Sequence, residues 1–323
     1  MILQHTRDYF KKLKIKNEGL KPVMAYKKIA PPFGYFGSKN RLALQLCENL
    51  PPHNCWVEAF CGSAALTLAK PPAPIEIIND VDNEIVNLFE QLRNNHKELR
   101  RLIELTPYAS QELVYARTNN NRDTELERAR KFLVQSMMAI NGIFGKEKGG
   151  FSSSDSYSRN NHEARVNRWN NLPERLSKVV DRLKDVRVEN RDARDLLKKY
   201  VNRPATLVYL DPPYLGDRTS GYVVDANDDN FHAELLDLAN KAKCMIFISG
   251  YENDLYKSLL SVKNGWQKKT IKTTTKDSTG KAHARIEVVW MNRYYVNAAK
   301  SKQIPLKLTN KEEKTKKVNP ERK

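Results

Sequence analysis

The chain has 323 residues, 56 Lys+Arg against 38 Asp+Glu for a formal charge of +18, and 40% hydrophobic residues. That is enough apolar material for a core in one large or two moderate domains, and no apolar run reaches the ~20 residues that would cross a bilayer. The positive balance points to a polyanionic partner.

Met1 to Phe10 contain no apolar stretch of the secretory kind, so no signal segment is expected there. Cys47, Cys55, Cys61 and Cys244 include no CxxC pair, and His5, His53, His96, His162, His232 and His283 include no pair at ligand spacing. Free thiols, a cytoplasmic location and no metal are the expectations.

In chain order, residues 1–30 hold eight Lys/Arg and two acids without an apolar period, which predicts a solvated basic arm. Trp56 to Phe60 reads as a strand running into Gly62-Ser63, with Ala64 to Ala69 as helix; Ile75 to Asn79 reads as a strand followed by a helix from Asn83 to Arg93. Residues 94–185 break this alternation. They read as mostly helical, clearest over Leu126 to Ile140 and Glu174 to Leu183, with a Gly-rich interruption from Asn141 to Phe151. Strands resume at Val186 to Val188, Thr206 to Leu210 and Met245 to Ser249, each followed by a helical pattern. Lys269 to Thr275 and Ile286 to Met291 are extended runs on either side of a turn region, and residues 300–323, with nine Lys/Arg and three acids, read as a disordered tail.

Short apolar strands alternating with helices predict βαβ units and a mostly parallel, doubly wound α/β sheet, closed by a terminal antiparallel hairpin. The organisation that follows is a basic arm over 1–30, a sheet domain over 31–93 and 186–299, a helical insertion over 94–185 suited to reading a partner, and a basic tail over 300–323.

Asp211-Pro212-Pro213-Tyr214 directly follows the strand Thr206 to Leu210. Ligands of open α/β sheets gather at the carboxyl ends of the strands, and two prolines end the strand in a rigid turn. The turn gathers a carboxylate, the Pro212 carbonyl and a phenol ring. Both acceptors suit an exocyclic amino group, and Tyr214 suits stacking on its heterocycle. As a bare tetrapeptide the same residues also read as a capping Asp before a Pro-rich turn. Val57-Glu58-Ala59-Phe60-Cys61-Gly62-Ser63 places small residues after a strand, where backbone approaches a ligand closely, but it is neither GxGxxG nor a P-loop. Asp80, in Asn79-Asp80-Val81-Asp82 after the second strand, is placed to hold ribose hydroxyls. Each of these alone reads equally well as helix packing or capping. Phe33 to Lys39, an aromatic, two small residues and a lysine, fits a lid over a cofactor, with Lys39 near a carboxylate.

In this order the motifs resemble the D12 (Dam-like) class of DNA adenine-N6 methyltransferases, over residues 31–295. The resemblance implies a Rossmann-like methyltransferase fold, S-adenosylmethionine as methyl donor, double-stranded DNA as partner and a target-recognition domain where 94–185 lies. A restriction-modification setting, with a cognate restriction endonuclease as a second partner, and a solitary role both stay open. By that resemblance Tyr35 and Lys39 match the first cofactor-binding positions, and Glu58, Phe60 and Gly62 the glycine-loop motif. Asp80 matches the ribose carboxylate, Asp192 a carboxylate near the cofactor's adenine, and Asp211 the catalytic carboxylate beside the cofactor, with Pro212 and Tyr214 catalytic. Ser38, Ala59 and Ala64 stand where the family has Gly, Pro and Gly. The implied reaction is methyl transfer to N6 of an adenine flipped from the duplex. Asn161, Arg165, Arg168 and Asn170 are side-chain types that read adenine and guanine edges. The same tetrapeptide serves an N4-cytosine or RNA amine methyltransferase, and a non-catalytic DNA-binding protein on this scaffold is the alternative of another class.

Overall fold

The computed structural model describes residues 26–34, 38–118, 120–140, 142–143, 149–153, 163–215, 229–276 and 282–305. Tyr35, Asn161, most of the Gly-rich interruption, and the arms before 26 and after 305 lie outside the described residues.

Five parallel strands form the centre: β1 (Cys55–Glu58), β2 (Ile75–Asn79), β3 (Val186–Glu189), β4 (Thr206–Leu210) and β5 (Met245–Gly250). β6 (Trp266–Lys276) and β7 (Ala282–Asn292) pair with each other antiparallel over their whole length. The seven-stranded sheet has the order β3-β2-β1-β4-β5-β7-β6, with β7 antiparallel to β5. The chain steps outward from β1 to β3 and then returns to lay β4 on the other side of β1. The switch point therefore lies between β1 and β4, where ligand crevices open in such sheets.

Helices cover both faces because the strands are apolar on both sides. Val57, Val208, Leu210, Ile246 and Ile248 face one layer, with α8 (Ala193–Lys198), α9 (Asp229–Lys241) and α10 (Asp254–Leu259) against them. Their neighbours Trp56, Leu207, Tyr209, Met245 and Phe247 face the other, joined there by α1 (Ala43–Cys47) and α11 (Arg293–Ser301). On that second face, over β2 and β3, lie α2 (Asn83–Asn94), α3 (His96–Leu105), α4 (Ser110–Arg117), α5 (Glu125–Met138), α6 (Ala164–Asn170) and α7 (Leu172–Leu183). One apolar cluster runs from Ile78 and Val186 of the sheet through Phe89, Leu133, Trp169 and Leu176 of these helices. Local signals start several of them. Asp82 caps α2 through the Glu84 amide at 2.8 Å, and Thr124 caps α5 through that of Glu127 at 3.2 Å.

One expected helix is absent. Residues 64–69 form consecutive turns rather than a helix. The amides of Leu66 and Thr67 donate to the Glu58 carboxylate at 3.4 and 2.9 Å. Ala64 also sits at φ +54°, outside the right-handed helical region.

Candidate active site

Residues 207, 209 and 211 share one face of the sheet by the two-residue period of a strand, which puts the Asp211 side chain just beyond Tyr209 at the carboxyl end of β4. The β5–β7 register pairs Gly250 with Val288, so Glu287 lies one residue past the end of β5, at the same rim. Ser38 caps a 3-10 turn, Lys39–Arg41, that carries the Lys39 side chain into this rim, where it is only 6% exposed.

Lys39 Nζ lies 2.9 Å from Asp211 Oδ1 and 3.6 Å from Glu287 Oε1. It also donates to the Tyr214 hydroxyl at 2.6 Å. That hydroxyl has Glu287 Oε1 at 2.6 Å and Asp211 Oδ1 at 3.3 Å, and the shorter contact takes its proton. The Tyr214 ring packs against Tyr251, with centroids 4.5 Å apart. Two carboxylates thus face one buried ammonium. Burial raises the pKa of Asp211 and of Glu287, against the opposing pull of Lys39. Burial works against the charge on Lys39, yet the two carboxylates prevail and its pKa is raised. The Tyr214 phenol is pushed well up by burial and by the same two carboxylates.

Beside this cluster, the turn after β1 passes through Gly62 at φ +46°, a conformation glycine adopts without a Cβ penalty. The Gly62 amide donates to Asp80 Oδ2 at 2.8 Å, and the Asp82 amide to Asp80 Oδ1 at 3.1 Å. Asp80 is buried, which lifts its pKa to about 6 against those two donors. Phe60 is half-buried edge-on against Phe231. Glu58 is turned toward Leu66 and Thr67, where it also accepts from the Thr67 hydroxyl, so it shapes the turn from within. Asp192 caps α8 and pairs with Arg194 at 2.6 Å. Its loop is docked on β2: Asn79 exchanges hydrogen bonds with the Arg191 backbone at 3.0 and 3.1 Å, and Asn190 donates to the Asp80 carbonyl at 2.9 Å.

On α6, Arg165, Arg168 and Asn170 are exposed while Trp169 points inward and donates to the Thr106 carbonyl at 2.8 Å. The Arg168 guanidinium lies against Gly34, and Arg175 of α7 donates to the Pro32 carbonyl at 3.3 Å. This basic group therefore abuts the segment that leads to Lys39.

The structure brings Lys39, Asp211 and Tyr214 together, and Gly62 with Asp80. Glu287 and Tyr251 complete the first group without having been singled out from the sequence. The available signal for Glu287 was a carboxylate opening the apolar run Val288-Val289-Trp290. Among the described residues, no group of three His, Cys, Asp or Glu could hold a metal ion, and no helix is long and apolar enough to cross a membrane.

The chain is 26% identical over 196 residues to the Type II methyltransferase M1.LlaDCHI of Lactococcus lactis subsp. cremoris. That match covers 57% of this chain, and the chain spans 66% of that relative's length. Among solved structures it is similar to the SAM dependent methyltransferase from Agrobacterium tumefaciens (8% identity, TM-score 0.35, 79% of this chain and 60% of that one). It is also similar to precorrin-6y C5,15-methyltransferase from Geobacter metallireducens (8% identity, TM-score 0.34, 78% of this chain and 86% of that one). The family model for D12 class N6 adenine-specific DNA methyltransferase matches residues 35–275. Its span takes in Lys39, the glycine turn, Asp80 and the Asp211 tetrapeptide, and the chain belongs to that family.

Proposed function

We propose that the protein transfers a methyl group from S-adenosylmethionine to the N6 amino nitrogen of an adenine in a specific duplex DNA sequence. The observation that carries this reading is the half-buried Asp211 carboxylate at the carboxyl end of β4, held among Lys39, Tyr214 and Glu287. Family membership supplies the reaction class.

The residues present fit the cofactor. Asp80 accepts from the backbone amides of Gly62, Val81 and Asp82, and an ionised carboxylate offers about four lone-pair sites, so it keeps capacity for a ribose hydroxyl. Gly62, Phe60 and Asp192 would line the same site, with Tyr35 and Lys39 covering it and Glu58 holding the glycine turn in shape. When bound, S-adenosylmethionine supplies an electrophilic methyl on a sulfonium. The chain's own part is to present the nucleophile. Asp211 and the Pro212 carbonyl accept the two N–H bonds of the flipped base, which draws the nitrogen lone pair out of conjugation. Tyr214 supports the ring by stacking. The proton that N6 sheds after attack has Asp211 as its nearest base, and burial already favours a proton there.

We assign duplex reading to the helical segment 94–185, through Arg165, Arg168, Asn170 and Asn161, and non-specific phosphate affinity to the basic arms. A restriction-modification setting with a cognate endonuclease and a cytoplasmic location belong to the same reading. The test is transfer of tritiated methyl from labelled cofactor to DNA, followed by nucleoside digestion. N6-methyladenine is expected from the wild type. Asp211→Ala should abolish transfer and leave duplex binding largely intact. Recovery of N4-methylcytosine alone overturns the adenine assignment, and no transfer under cofactor saturation favours a non-catalytic binding protein.

A further inference from the structure

Resting on the methyltransferase reading, we propose that Glu287 is a positioning residue for the transfer step. It holds the Tyr214 hydroxyl throughout and takes over Lys39 when the target amino group displaces the ammonium from Asp211 Oδ1. That oxygen has Lys39 Nζ at 2.9 Å and the Tyr214 oxygen at 3.3 Å. An amino group that is to donate to Oδ1 must compete with the ammonium. An ammonium leaving Asp211 with no second anion would be stranded in a buried pocket, at a cost no single neutral hydrogen bond repays. Glu287 removes that obstacle. Its Oε1 is 3.6 Å from Nζ, so closing 0.7 Å reproduces the distance Lys39 now keeps to Asp211. Tyr214 needs no new partner, because its hydroxyl already meets Glu287 at 2.6 Å. With its far end held, the phenol ring keeps a fixed plane beneath the incoming base.

The groups facing Glu287 are Lys39 from the 3-10 turn, Asp211 and Tyr214 from the turn after β4, and Tyr209 from β4. Tyr251, after β5, Glu58, on β1, and Tyr256, on α10, also belong to the charged and titratable surroundings of Lys39 and Asp211. In Glu287→Gln one negative charge leaves this group. Asp211 then loses a competing carboxylate for Lys39 and a repelling neighbour, and ionises at lower pH.

The experiment measures kcat, KM for DNA and the pH dependence of kcat for the full-length wild type, Glu287→Gln and Glu287→Asp, on plasmid DNA free of N6-methyladenine, with melting curves alongside. Glu287→Gln should lower kcat about 10- to 100-fold, the range a sub-ångström to ångström misplacement produces. KM for DNA should stay within about threefold, and the acid limb of the profile should move to lower pH. Glu287→Asp keeps the charge and should recover part of kcat with the acid limb in place. If Glu287→Gln fails to fold, the Asp variant carries the test, and a kcat equal to wild type there overturns the proposal. A Gln variant with unchanged kcat, or one that loses kcat only in step with its melting temperature while the acid limb stays put, overturns it too. An inactive wild type overturns the underlying methyltransferase reading, a result distinguishable from the others because no variant is needed to see it.

Discussion

Glu58→Gln tests how the chain holds its glycine turn. Glu58 is 2% exposed and accepts from the amides of Leu66 and Thr67 and from the Thr67 hydroxyl. Burial nonetheless prevails over those donors, with Asp211 adding repulsion, and raises its pKa from 4.5 to about 7. Because the folded-state value lies above the unfolded one, folding favours the protonated form. The stabilisation is complete below about pH 4.5 and is lost as pH rises through about 7. At about 1.4 kcal/mol per pH unit, the displacement from 4.5 to about 7 amounts to about 3 kcal/mol. Most of it, about 2–3 kcal/mol, falls between about pH 5 and pH 8.

Glutamine keeps the shape and one acceptor but does not titrate. It also turns an N–H toward one of the backbone donors, a constant penalty of about 1 kcal/mol. Urea unfolding of both proteins at pH 5, 6, 7 and 8 gives the difference curve directly. Wild type should lose about 2–3 kcal/mol relative to the variant across that range. Parallel curves would refute the reasoning, since they would mean that Glu58 is ionised throughout and its donors outweigh its burial. Asp80, raised to about 6 by burial, has the same sign and is common to both proteins, so it cancels in the difference.

Ala64, fully buried at φ +54°, should tolerate glycine with a stability change within about 0.5 kcal/mol, because relief of about 1–2 kcal/mol of left-handed strain offsets the lost methyl and the added chain entropy. Ala65→Gly, at an ordinary φ, should lose about 1–2 kcal/mol in the same denaturation assay, and equal losses at the two sites would contradict the strain argument. Glu76 joins Lys70 at 2.6 Å and Arg182 at 2.5 Å, all three buried, so Glu76→Ala strands two cations and should cost about 3–5 kcal/mol. A loss below about 1 kcal/mol in chemical denaturation would show that water reaches the pair. Removing residues 1–25 and 306–323 deletes 13 basic and five acidic residues, +8 of the +18. Duplex binding should weaken and its salt dependence flatten while the methylated sequence stays the same; a changed sequence would mean that the arms read bases.

The parts of this molecule that were legible in its sequence are those fixed by neighbours along the chain. Ile75–Asn79 and Thr206–Leu210 fall on the expected strand limits. Each is a short apolar run stopped by local chemistry: Asp80 and its capping neighbour in one case, Asp211-Pro212-Pro213 in the other. The antiparallel hairpin was visible from extended β-branched runs, although its strands extend three residues further on one side and four on the other than Lys269 and Ile286 suggest. Ala64 to Ala69 misled for a physical reason. Its composition favours helix, but Ala64 is held at φ +54°, outside the right-handed region a helix requires. No local propensity records that turn.

The candidate site divides along the same line. Asp211 is legible because the strand and the prolines that place it are its immediate neighbours. Glu287 reaches the same rim only because β7 runs antiparallel to β5 with Val288 opposite Gly250. A register one residue away would turn Glu287 to the opposite face, away from Lys39. That register is held from the far end, where the Asn292 side chain accepts from the Ile246 amide at 3.1 Å and donates to the Cys244 carbonyl at 2.9 Å. Asn292 thus stands five residues from Glu287 and fixes which face it takes. The carboxylate that shares Lys39 with Asp211 is set by an amide at the opposite end of its strand, a link that exists only once the sheet is assembled.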